Sequence, residues 1–393
     1  MRLTGFEVLD CDLGWRTISF VKISADDGST GWSECTDSFG SGGLQAVILS
    51  LRDRILGQDP RRLTHLIGSL RSLLSPAPGG LNQMAVGAVE NALYDLVARH
   101  HGMSVAEMLG GTVRDRIPVY WSHCGGYRTG AAAALTGNEA LTSYDDVERL
   151  GRQVRDRGFR ALKTNVISFA ESDVSGRPFA WARHPAAGGR AYDDRMIADT
   201  VDTLAAFRRG AGPDLAILLD VNYNYLADGY RRIARAASAF DLAWLELDGL
   251  APGELAALRA AAGMPVASGE SLFGLPQYLP YLAGGAVDVA IVDVVWNGIA
   301  EAVSVARTAA AHSLAVAPHN FYGHLSTIMS AHFCAVTPNL ALMEVDVDGV
   351  PWRDDLVDVP PVIERGELVL PSGPGWGVEV NEEAIRAHAP RRR

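Results

Sequence analysis

Lysine is almost missing from this chain. Of 35 basic residues two are lysine, Lys22 and Lys163, and the rest are arginine. A coding bias that turns lysine into arginine wherever either serves accounts for the ratio. A lysine left standing then marks a place where arginine does not serve, since only the ammonium loses its proton when buried near other cations. Lys22 lies in an alternating pattern, SFVKIS, where a solvated face explains it; Lys163 closes the apolar run RALK. Cysteine is scarce too. Cys11, Cys35, Cys124 and Cys334 are scattered without a C-x-x-C pair, which argues against a disulfide framework or a zinc site. No uncharged apolar run reaches the roughly 18 residues of a membrane-spanning helix. The amino terminus, MRLTGFEVLDCDLG, lacks the basic-then-apolar order of a signal peptide and reads as a strand, so a cytoplasmic protein without a membrane partner is expected. Net charge is −11 and no basic patch occurs, which argues against nucleic acid as a partner.

What the chain does contain is a rhythm. Asp220, Glu246, Glu270, Asp293, His319 and Glu344 follow one another at intervals of 26, 24, 23, 26 and 25 residues (by subtraction of their numbers). Each sits at or just past the end of a short apolar run: AILLD, AWLEL, PVASGE, VAIVD, AVAPH and LALME. An apolar strand followed by a helical stretch, repeated at this period, is the signature of β/α units. Polar residues at the carboxyl ends of such strands face the mouth of a (β/α) barrel, where active sites are built. At 393 residues, 48% of them hydrophobic, the chain is long enough for a barrel of about 250 residues and something more.

The organisation follows. Residues 1–116 read as an α+β capping unit, with strands RLTGFEVLD, RTISFVKIS and STGWSEC. Its helices are LQAVILSLRDRIL, a segment from about Arg61 to Leu74, and QMAVGAVENALYDLVARHHG. Residues 117–350 read as the barrel, with eight strands from IPVYWS to LALMEV and helices over 144–157, 195–209, 228–239, 253–262, 275–283, 298–312 and 324–336. Residues 351–393 read as a strand, a Gly-Pro turn and a short helix that pack back on the cap. The fold class is thus α/β, a (β/α)7β-type TIM barrel with an N-terminal cap completed by the C-terminal segment. One stretch breaks the rhythm: Lys163 and Asp220 are 57 positions apart (220 − 163). The excess, roughly 168–190, is rich in Gly, Pro and Ser and leaves the barrel on the face of the six periodic residues. A lid or subunit-contact arm is expected there.

Asp220, Glu246 and Glu270 end three consecutive strands. Three hard oxygen donors without Cys or His match Mg²⁺ better than a transition metal. Any one of them alone would be a solvated surface group; three in barrel register are a metal set. Asp293 ends the strand next to that of His319, within reach of its ring. A carboxylate–imidazole pair fixes the tautomer and raises the basicity of the other nitrogen, as a general base needs. Lys163, expected on the opposite side of the barrel from that pair and beside bound cations, serves as acid, base or electrostatic stabiliser. Glu344 becomes a hydrogen-bond donor to a developing oxyanion if its pKa is raised.

The order Lys, Asp, Glu, Glu, Asp–His, Glu along a capped barrel resembles the enolase superfamily, mandelate racemase subgroup. The resemblance runs from the cap strands through MLGG and IPVYWS to PGWGVEV. It implies Asp220, Glu246 and Glu270 as Mg²⁺ ligands, the His319–Asp293 pair as the base that removes a proton α to a carboxylate, and Glu344 as acid or hydrogen-bond donor at the enolate. It also implies that cap loops close over the distal end of the substrate. By position these are 11–16, with Trp15, and 36–43, with Phe39. The glycine-rich TDSFGSGG lacks the G-x-G-x-x-G spacing of a phosphate cradle and reads as a flap. Two departures stand out. The subgroup's strand-two motif is often Lys-x-Lys, and here it is Lys163-Thr164-Asn165. Some acid-sugar dehydratases of this kind carry a His two residues after the first metal Asp, and here that position is Asn222.

Asn165 cannot take a proton, so a second-face base is missing unless Lys163 substitutes, and elimination of a β-hydroxyl becomes the natural outcome. Asn165, Asn222, Asn320, Tyr322, Trp15 and Phe39 are the candidate substrate contacts. Tyr223, His123, His324 and Trp296–Asn297 also lie around the mouth, a polar lining suited to a polyhydroxylated acid. The expectation is a Mg²⁺-dependent sugar-acid dehydratase acting on an aldonate or aldarate, assembled as a homo-oligomer. An epimerase or cycloisomerase using Lys163, and a silent relative that binds Mg²⁺ and an acid, are the alternatives.

Overall fold

A computed structural model of the chain describes residues 1–36, 42–172, 178–179 and 194–390. The amino-terminal cap opens with three antiparallel strands, β1 (Leu3–Asp12), β2 (Thr17–Ala25) and β3 (Thr30–Cys35), in the order β1-β2-β3. In β1 Leu9 and Cys11, two residues apart, are buried on one face, and Phe6 is buried on the other. Helix Gly80–His100 covers the sheet, and helix Leu63–Leu74 packs on that helix. The longer one is buried on nearly all sides, from Met84 to Ala98, because it is wedged between cap sheet and barrel. Gly31 makes that close approach possible: a Cβ there would lie 2.2 Å from the carbonyl oxygen of Ala92. The single helix expected over LQAVILSLRDRIL divides at Leu51 into Leu44–Ser50 and Arg52–Ile55. The Leu51 N–H turns back to Ile48 O at 3.0 Å, a tightened last turn that ends the first piece.

The barrel strands are β4 (Arg116–Ser122), β5 (Ala161–Thr164), then, after a short antiparallel pair β6 (Ser168–Ser172) and β7 (Pro178–Phe179), β8 (Ala216–Asp220), β9 (Trp244–Glu246), β10 (Val266–Ser268), β11 (Val289–Asp293), β12 (Ala315–His319) and β13 (Met343–Asp346). Hydrogen bonding runs β12-β11-β10-β9-β8-β5-β4, and β13 pairs in parallel with β4. A parallel bridge between Val316 and Leu340 joins the two ends, with Ala341 N–H to Val316 O at 2.8 Å. The ring is therefore closed. Seven of its strands lead into helices, and the eighth runs into the C-terminal segment, as a (β/α)7β barrel requires. The helices match their expected spans to within two residues at either end; 275–283 coincides with Leu275–Ala283. Tyr120, Ala161, Leu218, Trp244, Ala267, Val289, Ile291 and Ala317 fill the barrel interior below the mouth.

After β13 the chain forms the hairpin β14 (Ile363–Glu364) and β15 (Glu367–Val369). β15 pairs antiparallel with β4, Val369 opposite Arg116, so this segment braces the barrel before it reaches the cap. There Trp376 donates its indole N–H to Trp32 O at 2.7 Å, and helix Glu382–Ala387 is tied to β2 through Lys22 Nζ and Glu382 Oε2 at 2.6 Å. Lys22 is thus a half-buried strut rather than a solvated face. The expected arm at 168–190 and the Phe39 flap lie, apart from β6 and β7, outside the described residues. No described helix is long and apolar enough to cross a membrane.

Candidate active site

Parallel register brings the periodic residues together. Asp220 is the pairing partner of Glu246 across β8 and β9, and Asp293 is the partner of His319 across β11 and β12. Glu270 lies two residues past the end of β10, and Gly269 aims it. Gly269 has φ +122, and a Cβ there would press on Ile291 O at 3.0 Å and the Tyr278 ring at 3.2 Å. The result is a buried triad: one carboxylate oxygen each from Asp220, Glu246 and Glu270, all within 4.8 Å of one another.

Neighbours hold each ligand in place. The Asn222 N–H donates to Asp220 Oδ1 at 2.9 Å, the Trp244 indole to Glu246 Oε2 at 2.9 Å, and the Tyr223 hydroxyl to Glu270 Oε1 at 2.6 Å. Asn222 reaches this position in the left-handed region at φ +49, which Asn tolerates. Burial pushes Asp220 up to about 6 and Glu246 up to about 7, against the pull of Lys163, and burial likewise raises Glu270. Three converging hard oxygens, short of positive charge, are a donor set that fits a divalent oxygen-seeking cation.

Lys163, on β5 across the barrel from Asp293, is in contact with this set. Its Nζ lies 2.9 Å from Glu246 Oε1, 2.8 Å from Glu344 Oε1 and 3.6 Å from Asp220 Oδ2. Burial works against the ammonium, but Glu246 and Glu344 hold its pKa well above the ordinary lysine value. Despite the long connection between them β5 pairs directly with β8, which puts Lys163 beside the strand of Asp220. Glu344 departs from expectation. Burial alone would raise its pKa, yet Lys163, His319 and His123 bring it down to about 2. It stands as a carboxylate that accepts from Lys163, from the Asn320 N–H at 2.7 Å and from the Ser122 hydroxyl, so it is an acceptor and not the protonated donor.

His319 Nδ1 lies 2.6 Å from Asp293 Oδ2, and its Nε2 turns toward the triad, 3.4 Å from Glu270 Oε2. Burial opposes the imidazolium, but Glu270 and the bonded Asp293 raise its pKa to about 10. The pair is in place, and its free nitrogen faces the acidic cluster.

The candidate substrate contacts divide. Asn165 donates to Asp220 O at 3.1 Å and to Asn222 Oδ1 at 3.2 Å, which leaves it beside the triad as a neutral group. Trp15 packs on Tyr127 at a tilt of 31°, ring centroids 4.9 Å apart, at the cap–barrel junction. Asn320 is turned away from the mouth: its amide donates to Thr327 Oγ1 at 3.1 Å and Glu344 O at 3.0 Å. Tyr322 is buried with its hydroxyl on Asp293 Oδ2. His324 is tied to Asp354 at 2.7 Å, and the Asn297 side chain braces the Leu272–Gly274 turn. These four were placed by sequence neighbourhood to His319 and Asp293, a signal blind to which way a loop side chain points.

Two residues stand beyond the individual sequence candidates, Arg16 within the 11–16 cap loop and Asp248. Arg16, on the β1–β2 loop, crosses to the barrel, pairs with Asp346 at 2.8 Å and lies over the Phe321 ring at 5.1 Å. Asp248, two residues past Glu246, accepts from the Ser268 and Ser271 hydroxyls at 3.1 Å. The i+2 spacing from known strand-end carboxylates (Glu246 to Asp248, Glu344 to Asp346) was the available clue.

Comparison with known proteins agrees with this geometry. Residues 145–384 match the enolase C-terminal domain-like family, and residues 13–110 match the N-terminal domain of mandelate racemase and muconate lactonizing enzyme. The D-galactarolactone cycloisomerase of Agrobacterium fabrum is 26% identical over 97% of this chain and 94% of its own. The D-galactonate dehydratase of Xanthomonas euvesicatoria is 26% identical over 93% of this chain and 90% of its own. A crystal structure from Burkholderia xenovorans strain LB400 is 41% identical, covers 99% of this chain and 96% of its own, and superposes with a TM-score of 0.95. That protein is provisionally named an L-alanine-DL-glutamate epimerase and holds magnesium and fumarate.

Proposed function

The chain belongs to the enolase superfamily, in its mandelate racemase and muconate lactonizing enzyme branch, and from that premise we propose that it dehydrates a sugar acid, an aldonate or aldarate, to a 2-keto-3-deoxy acid. One observation carries the reading. An imidazole base, His319 backed by Asp293, faces the acidic triad, while the second position of the strand-two motif is the neutral Asn165, hydrogen-bonded to Asp220 O and Asn222. Asp220, Glu246 and Glu270 would hold Mg²⁺, which when bound would supply a Lewis acid for the substrate carboxylate. His319 Nε2 takes the α proton. The Lys163 ammonium, fixed by Glu246 and Glu344, stabilises the charge that develops beside it. The C–O bond to the β-hydroxyl breaks, and the imidazolium returns its proton to the departing oxygen on the same face. Water leaves, and the enol becomes the keto acid.

Epimerisation or cycloisomerisation is the second reading, supported by the names of the Burkholderia and Agrobacterium relatives. It needs a base on the opposite face. Lys163 is the candidate, but its ammonium is engaged by two carboxylates. Incubating the protein with Mg²⁺ and a library of sugar acids in D₂O separates the two. Dehydration gives 2-keto acid and no inverted substrate. Recovered substrate of inverted configuration carrying deuterium would overturn the proposal.

A further inference from the structure

We propose that Tyr322 is a positioning residue for the proton-abstracting pair, acting through Asp293 rather than on the substrate; this rests on the reading of His319 as the base. Tyr322 is 1% exposed, and its hydroxyl is taken up by Asp293. Its hydroxyl donates to Asp293 Oδ2 at 2.6 Å, the same oxygen that accepts from His319 Nδ1 at 2.6 Å. The other oxygen, Oδ1, accepts the Trp296 N–H at 2.7 Å. Three donors from three directions leave the carboxylate no rotation about its Cβ–Cγ bond. Without Tyr322, Oδ2 would be held by the imidazole alone, and only the Trp296 N–H on Oδ1 would resist its rotation.

The imidazole is held in turn. Phe321 packs 4.8 Å from its centroid, Trp296 5.4 Å, and Tyr322 meets it edge-on at 5.7 Å and 88°. The clamp is anchored from outside the barrel. Immediately after Tyr322, the Gly323 N–H donates to the buried carboxylate of Glu34 on β3 at 2.6 Å, and the Ser326 N–H does so at 3.2 Å. Gly323 has no room for a side chain, since a Cβ would lie 2.5 Å from Glu34 Oε2. The cap thus fixes the backbone of the loop that carries Tyr322, Tyr322 fixes Asp293, and Asp293 fixes which ring nitrogen faces the triad. Second-layer partners of this kind orient the group that meets the reactant.

The test uses the full chain and the Tyr322→Phe variant, which removes one oxygen and keeps the ring. The first readout needs no turnover: the downfield proton NMR signal of the His319 Nδ1–H, assigned by its loss in Asp293→Asn. We expect it to shift or broaden in Tyr322→Phe. The second is kinetic, on whichever acid the chain turns over: kcat falls about tenfold with KM within twofold. The third is a cycle: Tyr322→Phe adds nothing once Asp293 is already Asn. An unmoved Nδ1–H signal, a raised KM with unchanged kcat, full additivity in the cycle, or a variant that fails to fold would each overturn the proposal. A moved signal in a protein that dehydrates nothing would retain Tyr322 and discard dehydration.

Discussion

Two regions of this molecule bury carboxylates, and they do so in opposite ways. Within the cap and along its seam with the barrel, Glu34 accepts backbone N–H groups of Gly323 and Ser326, and Asp95 accepts those of Trp32 and Trp376 at 2.8 and 2.9 Å while pairing with Arg99 at 3.0 Å. Glu90 accepts the Ala300 N–H at 2.8 Å and pairs with Arg71. Each is spaced from the others and met by donors fixed in the main chain. At the barrel mouth, Asp220, Glu246 and Glu270 converge within 4.8 Å and meet mostly side-chain donors. Burial raises the pKa of carboxyls in both places, Asp95 to about 6 as much as Asp220, so a perturbed carboxyl does not by itself mark a site. Convergence does. A strut spreads its charges and saturates them; a site gathers them and leaves them for something else to satisfy.

The contrast is breakable by experiment, beginning with the largest effect. His319→Asn is expected to lower turnover by about 10² to 10⁴, up to about 5 kcal/mol of barrier, with the melting temperature little changed. Steady-state assay of keto-acid formation beside a thermal melt measures both, and wild-type activity in this variant would end the assignment of the base. Asp95→Ala is expected to do the reverse. It strands Arg99 and two buried N–H groups, at a cost of about 4 kcal/mol, while kcat of the folded protein stays within twofold. Denaturant titration and assay of the same sample decide the matter, and a lost kcat would show that seam and site are one unit.

The seam has its own pH signature in His332. Its Nδ1 accepts the Ala106 N–H at 3.2 Å and its Nε2 donates to Trp376 O at 3.0 Å, so the imidazole is neutral. Burial lowers its pKa to about 4, below the roughly 6.5 of an unfolded chain. The unfolded state therefore binds more protons between those values. The stability this group contributes, about 3 kcal/mol, is complete above about pH 6.5 and is lost as pH falls toward 4. Melts of wild type and His332→Gln at several pH values should show the gap between them shrinking on acidification. A constant gap would exclude the titration. The smallest effect is expected at Lys22→Arg. This strut between β2 and the last helix is partly exposed and pairs with Glu382, and the change should stay within about 0.5 kcal/mol. A larger loss would mean that the second lysine, too, is there because arginine does not serve.

Much of this was legible in the chain. The roughly 25-residue period of Asp220, Glu246, Glu270, Asp293, His319 and Glu344 announced parallel strands and the face on which those side chains meet. Strand periodicity and barrel closure leave little freedom once eight apolar runs alternate with helices. Helix spans followed from apolar spacing, and the His319–Asp293 pair from adjacency of their strands. Less was legible where a side chain leaves a loop. Asn320 and Tyr322 follow His319 directly, yet one turns to Thr327 and Glu344 and the other to Asp293. The break at Leu51 and the bracing of β4 by β15 depend on neighbours far away in the chain.

The sequence by itself determined the strand-and-helix alternation, the residues at the strand ends and their common face, because the two-residue and 3.6-residue periods are local consequences of backbone geometry. Tertiary structure alone decided the charge state of Glu344, the engagement of Lys163 and the direction of Tyr322. Those depend on which groups from distant segments come within a few ångströms in a medium that screens them poorly, and Coulomb energies and hydrogen bonds vary too steeply with distance and angle for order along the chain to specify them.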